Sequence, residues 1–137
     1  MSWIAANFKK DKKMVDPFKM SASELGDAFE NNLINPVEVL EAYFEAIQKS
    51  TLTERIYVEV TKERAFGEAE DARKRQKSGL RMGPLDGVPI SWKDLFDIAG
   101  HETTAGSDLL KGRMPQTDCA ILELSLIHIS EPTRPGH

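Results

Sequence analysis

The residues best suited to chemistry lie in the stretch GPLDGVPISWKD, residues 83–94, where a lysine follows a short, mostly apolar run. A lysine in water has a pKa near 10.4 and is not a base at neutral pH. Burial disfavours the charged ammonium and lowers that pKa, so Lys93 could accept a proton if the apolar run forms a buried strand. Adjacent residues of an extended chain point to opposite faces, which predicts that Asp94 turns away from Lys93.

Other candidate groups carry weaker signals. Ser91 lies two residues before Lys93 and shares its predicted strand face, which makes it a tempting nucleophile. Cys119, His128 and His101 offer a thiol and two imidazoles. One cysteine and one histidine nine residues apart give no geometric indication of a catalytic pair, so Cys119 is predicted to pack as a small apolar residue.

Three predicted helices must position this stretch. Ser21 and Glu24 have capping-box spacing and predict a short helix that runs through Phe29. A second helix over residues 36–49 is predicted by cap residues at its start and by apolar residues at helical spacing. The third, residues 62–77, carries a narrow apolar stripe among charges. The cap residues of the second helix are Asn35, Pro36 and Glu38, and its apolar stripe is Val37, Leu40, Tyr43, Phe44 and Ile47.

The third helix and the later segments have their own boundary signals. Thr61 is predicted to cap the start of that helix and Gly79 to end it. The basic cluster near its C-terminus is predicted to complement the helix dipole rather than to form a binding patch. A packed loop is predicted over residues 103–107, and Asp118 is predicted to cap a last helix that begins at Cys119. The basic cluster is Arg73, Lys74, Arg75 and Lys77.

Two strands are also predicted. Ile56, Val58 and Val60 alternate with polar residues and indicate a short half-buried strand. Residues 88–92 indicate a second strand. It must lie at a sheet edge or have one irregular side, because Pro89 cannot donate to a ladder.

Composition limits the class of protein. The 137 residues carry a formal net charge of −4 and a pI near 5.4, so the chain lacks the basic excess that neutralises nucleic-acid phosphates. No apolar run approaches the roughly 18 residues needed to span a bilayer, and a single cysteine cannot form an internal disulfide. We therefore expect a cytoplasmic protein that binds neither nucleic acid nor membrane. Residues 1–19 are expected to form a flexible tail, and Met14 or Met20 could equally be the true start.

The order and spacing of several blocks resemble the amidase signature family. The blocks lie at residues 21–25, at the start of the second helix, at residues 83–97, in TTAGS at residues 103–107 and in TDCA at residues 117–120. Members of this family hydrolyse or transfer the nitrogen of carboxylic amides on an α/β fold around a large mixed sheet. The resemblance implies the α/β class, with the N-terminal helices and first strands of the amidase-signature mixed-sheet fold, incomplete, over residues 20–123.

The resemblance also implies a mechanism. The family's catalytic set is a nucleophilic serine, a second serine on a cis peptide and a lysine. Only the lysine maps onto this chain, at Lys93. The implied substrate is a small-molecule amide, and neither a metal nor an organic cofactor is required. Ser91 does not match the family's serines, which lie in a glycine-rich segment well downstream.

The end of the chain departs from the family's pattern. After Glu123 the family continues toward its serine-bearing loop, but this sequence reads LSLIHISEPTRPGH. Residues 124–134 resemble the translation of a transposon-end adapter used in sequencing libraries, so residues 124–137 are predicted to be a non-native tail. A base without the serines and the oxyanion donors lacks the groups that supply most of the rate. The chain as written is therefore predicted to hydrolyse no amide.

Three functions are weighed for the parent protein. Trp92 and the run Leu95-Phe96-Asp97 favour a free-standing amidase over the A subunit of the aminoacyl-tRNA amidotransferases, which belongs to the same family. That subunit usually has an asparagine–isoleucine pair after the lysine–aspartate. The alternative outside the family is a non-catalytic interaction module that pairs its amphipathic helices with a partner. The reading frame beyond Glu123 would separate the enzyme from the module, and the oligomeric state is left open.

Overall fold

The structure, a computed structural model, describes residues 15–123. In this range a set of helices is followed by a loop region that begins after residue 79. The helices are α1 (Ala22–Glu30), α2 (Pro36–Lys49), α3 (Thr53–Ile56) and α4 (Lys62–Lys77). Two 3-10 turns cover Pro17–Lys19 and Asp108–Leu110, and residues 120–123 are helical.

Both predicted capping boxes are present. At the start of α1 the Ser21 hydroxyl accepts the Glu24 N–H at 3.3 Å, and the Glu24 carboxylate accepts the Ser21 N–H at 2.7 Å. At the start of α2, Asn35 and Glu38 make the equivalent bonds at 3.0 and 3.1 Å. These bonds satisfy N–H groups that a first helical turn leaves unpaired, so local sequence decides where both helices begin.

The first apolar core lies between α1 and α2. Leu25 and Phe29 from α1 pack with Val39 from α2, and both Phe29 and Val39 are 0% exposed. Burying an apolar side chain of this size stabilises a fold by roughly 1.5–3 kcal/mol. Partly buried residues border this cluster: Met20, Ile34, Tyr43 and Val88.

A second core joins α2 to α4. Leu40 and Phe44 from α2 cluster with Ala69 from α4, and the rings of Phe44 and Phe66 lie 5.2 Å apart. Ala69 and Ala72 are both buried, which confirms the predicted stripe of the third helix. Small side chains at a helix contact allow the two axes to come close together.

Gln76 ties α4 to the connection between α1 and α2. Its side-chain amide donates to the carbonyl of Phe29 at 2.8 Å and to that of Ile34 at 2.9 Å. The residue is buried, and these bonds replace the water that its amide loses. Gly79 follows the end of α4 with a φ of 68°, a left-handed conformation that glycine adopts without strain, which confirms it as the predicted helix stop.

The strand part of the predicted α/β fold is wrong for the described residues, which contain no β-strand. Residues 55–60 begin inside α3 and continue without regular structure, with Ile56 61% and Val58 72% exposed. Residues 88–92 are likewise irregular. A strand needs a neighbouring strand to pair its backbone groups, and the described part of the chain provides none. Alternation in sequence indicates a two-faced segment but does not supply that partner.

Two predicted caps are wrong. Thr61 occupies the N-cap position of α4, but its side chain makes no capping hydrogen bond. The last helix begins at Ala120 rather than at Cys119, and the carboxylate of Asp118 binds Arg64 of α4. The Asp118 side chain therefore forms a tertiary ion pair with Arg64 instead of the helix cap that the local sequence predicts.

The last residues of the predicted N-terminal tail contact α2. The Tyr43 hydroxyl donates to the Pro17 carbonyl at 2.9 Å, and the rings of Phe18 and Tyr43 lie 5.3 Å apart. The rest of that tail, residues 1–14, and the predicted non-native tail, residues 124–137, lie outside the described residues.

Candidate functional site

Lys93 opens a tight turn at the end of the apolar run. Its carbonyl accepts the N–H groups of Leu95 at 2.7 Å and Phe96 at 3.2 Å, and the rings of Trp92 and Phe96 meet edge to face at 5.7 Å. The side chain of Lys93 is exposed. The apolar run before Lys93 is open on one side, where Ile90 is 56% exposed. The condition for a lowered Lys93 pKa, a buried strand, is therefore not met by the described residues alone.

The carboxylate of Asp94 binds the loop at residues 103–107. It accepts the Thr104 N–H at 2.9 Å and the Thr104 hydroxyl in a second, short hydrogen bond. Because both bonds favour the charged carboxylate, they lower the pKa of Asp94. Asp94 therefore links the turn at Lys93 to a loop ten residues further along the chain.

That loop has one buried end and one exposed part. Thr103 is 4% exposed, and its N–H donates to the Arg113 carbonyl at 3.3 Å. Ala105 and Gly106 are exposed and adopt left-handed φ angles of 48° and 71°. The hydroxyl of Ser107 caps the second 3-10 turn. The predicted packed loop is thus confirmed only at Thr103.

Two bidentate arginine–carboxylate pairs organise the segment after Lys93. Arg64 of α4 binds Asp118 at 2.8 and 2.7 Å, and the same carboxylate accepts the Ala99 N–H at 2.8 Å. Arg113 binds Asp97 at 2.6 and 2.7 Å. The hydrogen bonds from Arg64 lower the pKa of Asp118 to about 2, against the opposing effect of its partial burial. These pairs close the segment into a loop and fasten its end to α4.

The turn that precedes the apolar run docks on α4 through a buried acid. Asp86 is 4% exposed, binds Arg75 at 2.8 and 2.7 Å and accepts the Met82 N–H at 3.0 Å. Burial raises the pKa of Asp86, but the hydrogen bonds from Arg75 and Met82 outweigh burial and leave that pKa lowered. A buried charge pair thus helps to hold the turn on α4.

Sequence reasoning misses the roles of Arg75 and Asp86, because it assigns Arg75 with its neighbours to the helix dipole. A signal is present, since Arg75 and Gln76 stand three and four residues after the buried Ala72 and continue the buried face of α4. Polar residues at such positions indicate buried partners.

Two glycines let the same turn approach the helices. A Cβ on Gly26 of α1 would lie 1.9 Å from the Pro84 carbonyl oxygen, and a Cβ on Gly87 would lie 2.6 Å from the ring of Pro36. Gly87 also has a φ of 88°. A larger residue at either glycine would require the turn to move. The chain is therefore positioned against α1 and α2 shortly before it reaches Lys93.

The other candidate side chains have separate surroundings. Ser91 is exposed. The Nδ1 atom of His101 lies 2.6 Å from a carboxylate oxygen of Glu59. Cys119 is half-buried, in agreement with its predicted packing role, and His128 lies outside the described residues.

An open groove of about 950 Å³ lies beside the apolar run. One wall includes Ile90, Ser91 and Trp92, and α2 contributes Leu40 and Phe44. The lining of the groove is mainly apolar. It includes Trp92, the residue directly before the candidate lysine. The groove is therefore an uncovered apolar surface that extends to the candidate site.

None of the helices in residues 15–123 is both long enough and apolar enough to cross a membrane. The same residues contain no group of three or more histidine, cysteine, aspartate or glutamate side chains placed to hold a metal ion.

Comparison with known proteins relates the chain to enzymes of amide chemistry. Residues 38–125 match the Amidase family. The chain is 35% identical over 103 residues to the A subunit of the mitochondrial glutamyl-tRNA(Gln) amidotransferase of Homo sapiens, a match that covers 75% of this chain and 19% of the relative. The same subunit of Ornithorhynchus anatinus is 35% identical over 104 residues, covering 76% and 20%. The A subunit of the glutamyl-tRNA(Gln) amidotransferase of Streptomyces coelicolor is 31% identical over 108 residues, covering 79% and 22%.

No solved structure matches the chain. The chain spans about a fifth of the length of the curated relatives it matches. The family match covers more than half of the chain and includes the turn at Asp86, Lys93 and the loop at residues 103–107. On that evidence, the chain belongs to the Amidase family.

Proposed function

We propose that the chain is the N-terminal part of an enzyme that cleaves the C–N bond of a carboxamide, with Lys93 as the general base. The observation that carries the proposal is the family match over residues 38–125, because the segment GPLDGVPISWKD lies inside it. The two glycine contacts and the Asp86 pair support it, since they hold the chain firmly just before Lys93.

In the proposed reaction a neutral Lys93 amine accepts a proton from a bridging serine, which accepts the proton of a nucleophilic serine. The nucleophile's oxygen bonds to the amide carbonyl carbon. The C–N bond then breaks as the proton is returned to the departing nitrogen, and water or another acceptor releases the acyl group. Serine–lysine pairs are an established variant of serine–histidine catalysis. The two serines would come from the remainder of the polypeptide.

Lys93 must lose water to be neutral near pH 7. It is exposed in the described residues, while its neighbours Ser91 and Trp92 line the apolar groove. We expect the remainder of the enzyme to pack over this groove, because an apolar surface of this kind is stabilised when it is covered. The same packing would exclude water from the Lys93 amine.

The relatives favour one specific function for the chain, that of the A subunit of glutamyl-tRNA(Gln) amidotransferase. Those compared with the chain carry that name in both a bacterium and two mammals. Their similarity outweighs the preference for a free-standing amidase, which depends on Trp92 and the run at residues 95–97. We therefore propose the amidotransferase component first, as a protein that supplies nitrogen to glutamyl-tRNA(Gln), and a free-standing amidase second.

The test is a set of Lys93 variants in the full-length enzyme. Lys93→Ala should abolish turnover, and Lys93→Arg should do nearly as badly, because a guanidinium stays protonated and cannot accept the proton. The matched control is Lys111→Arg, since Lys111 is an exposed lysine paired with Asp108 at 2.6 Å. The measurement is kcat/KM beside a melting curve for each variant.

An arginine variant that keeps more than about a tenth of wild-type kcat/KM, a loss under roughly 1.4 kcal/mol of transition-state stabilisation, would rule out the general-base role. The same preparations separate the two activities. An amidotransferase component should amidate glutamyl-tRNA(Gln) with the other subunits of its complex, whereas a free-standing amidase should hydrolyse simple amides alone. Failure of both reactions in the wild-type enzyme would favour the non-catalytic module.

A further inference from the structure

We infer that Asp94 is a positioning residue, which fixes the loop at residues 103–107 against the turn that carries Lys93. The inference rests on the proposed function, because it assigns Asp94 a role that matters to catalysis only if Lys93 is the base. It assigns no proton transfer to Asp94 itself.

The first observation is that both oxygens of the Asp94 carboxylate bind the loop. One oxygen of Asp94 accepts the Thr104 N–H at 2.9 Å, and the other accepts the Thr104 hydroxyl. Smaller contributions from the N–H groups of Ala105 and Gly106 also lower the pKa of Asp94.

The second observation is the backbone of the loop. Ala105 has a φ of 48°, and its Cβ makes this left-handed conformation costly for an alanine. Gly106 follows with a φ of 71°, which costs a glycine little. A strained residue persists only where surrounding contacts hold it in place. The Gly106 N–H donates to the Thr104 hydroxyl at 3.3 Å and the Ser107 N–H to the Thr104 carbonyl at 2.8 Å. The loop therefore closes on Thr104, the residue that the Asp94 carboxylate binds.

The third observation is the link to Lys93. Its carbonyl holds a tight turn by accepting the N–H groups of Leu95 and Phe96 at 2.7 and 3.2 Å. Asp94 lies inside that turn, so its carboxylate fastens the loop to the backbone of Lys93. A change at Asp94 or Thr104 should therefore shift the lysine relative to its reaction partners, and small displacements of a reacting group lower the rate strongly.

The experiment uses the full-length enzyme. Asp94→Asn keeps the shape of the side chain but replaces one acceptor oxygen by a donor amide that faces the loop's N–H groups. We expect a loss of about 10- to 100-fold in kcat, with KM and the melting temperature close to wild type. Thr104→Val should reproduce the loss, whereas Thr104→Ser keeps the hydroxyl and should keep most activity. The double variant of Asp94→Asn with Thr104→Val should lose no more than the larger single loss, because both remove one link.

The matched control is Asp108→Asn, since the Asp108 side chain is 90% exposed and lies in the same region of the chain. It should leave kcat unchanged. The pH profile separates positioning from a direct charge effect on Lys93. If Asp94 only positions the loop, the acidic limb of the pH profile of kcat/KM should lie at the same pH in Asp94→Asn as in the wild type. A shifted acidic limb would overturn the inference.

Failure of the inference is distinct from failure of the proposed function. If Lys93→Arg is inactive but Asp94→Asn turns over like wild type, the positioning role is wrong and the base assignment stands. If Lys93→Arg is active, the base assignment itself is wrong. A readout without activity is the amide spectrum of the 137-residue chain, in which Asp94→Asn should move the Thr104 and Gly106 resonances and Asp108→Asn should not. Unmoved loop resonances in the first variant would also overturn the inference.

Discussion

Between residues 22 and 77, the buried side chains are apolar apart from that of Gln76, and Phe29 and Val39 are both 0% exposed. Between residues 83 and 118, the buried residues are instead Asp86 and Thr103, each 4% exposed. The helical region is therefore held by apolar burial and local caps. The loop region that carries Lys93 is held by hydrogen bonds and ion pairs to the helices and to itself.

The two regions should therefore respond differently to mutation. Apolar burial is nondirectional and tolerates small movements, whereas a bidentate ion pair requires both partners in a defined geometry. The loop region depends on α4 for Arg64 and Arg75, but the α1–α2 core needs nothing from the pairs at Asp97 and Asp118. The helical region should thus act as a platform, with the candidate site fastened to it.

The largest effect should follow from removing the centre of the platform. Phe29→Ala should lower the free energy of unfolding by about 3–5 kcal/mol, because it deletes a ring that is 0% exposed. Phe18→Ala is the matched control, since Phe18 is 60% exposed and should cost far less. Urea unfolding of the 137-residue chain, followed by far-UV circular dichroism, measures both. Equal losses would contradict the idea that burial holds this region.

A glycine pair tests the contact between the two regions. Gly26→Ala should destabilise the chain by about 1–3 kcal/mol, because its Cβ would lie 1.9 Å from the Pro84 carbonyl oxygen. Gly67→Ala should stabilise it by up to about 1 kcal/mol, since nothing lies within 4 Å and alanine favours a helix. The midpoints of thermal unfolding should move in opposite directions. A midpoint that rises in Gly26→Ala as it does in Gly67→Ala would show that the turn at Pro84 does not dock on α1.

Acid should weaken the loop region through Asp118. The folded pKa of about 2 lies below the ordinary value of 3.8, so the pair with Arg64 contributes fully above pH 3.8 and is lost as the pH falls toward 2. The expected loss is on the order of 1 kcal/mol, because both side chains retain some contact with water. Unfolding measured from about pH 5 to about pH 2 should be flatter for Asp118→Asn than for the wild type. If the free energy of unfolding changed equally with pH in Asp118→Asn and in the wild type, Asp118 would not stabilise the fold.

The smallest effects are expected at the N-cap residues of α2 and α4, both of which the sequence predicts to cap their helices. Asn35→Ala should cost about 1 kcal/mol, because the Asn35 side chain accepts the Glu38 N–H at 3.0 Å. Thr61→Ala should cost a few tenths of a kcal/mol at most, because the Thr61 side chain makes no capping bond. Both values come from urea unfolding. A loss at Thr61 as large as that at Asn35 would mean that Thr61 caps α4 in solution.

The helices are predictable because their signals are local. The bounds predicted for residues 36–49 and 62–77, from caps and from apolar residues repeating along one face, are those that the structure shows. Helical hydrogen bonds join residues four apart, so the information that specifies them lies within the element itself. The strands predicted at residues 55–60 and 88–92 are wrong for the opposite reason, since a strand depends on a partner elsewhere in the chain.

The sequence by itself determined where α2 and α4 begin and end, which faces of them are apolar, and that Lys93 stands in a segment typical of the amidase signature family. Only the tertiary structure decided that Asp86 pairs with Arg75, that Asp118 serves Arg64 rather than a helix, and that Asp94 binds the loop at Thr104. A charged side chain can reach many partners within the same sequence. The partner that a charged side chain binds depends on which distant segments the fold brings together. Here the paired residues are 10 to 54 positions apart in the sequence.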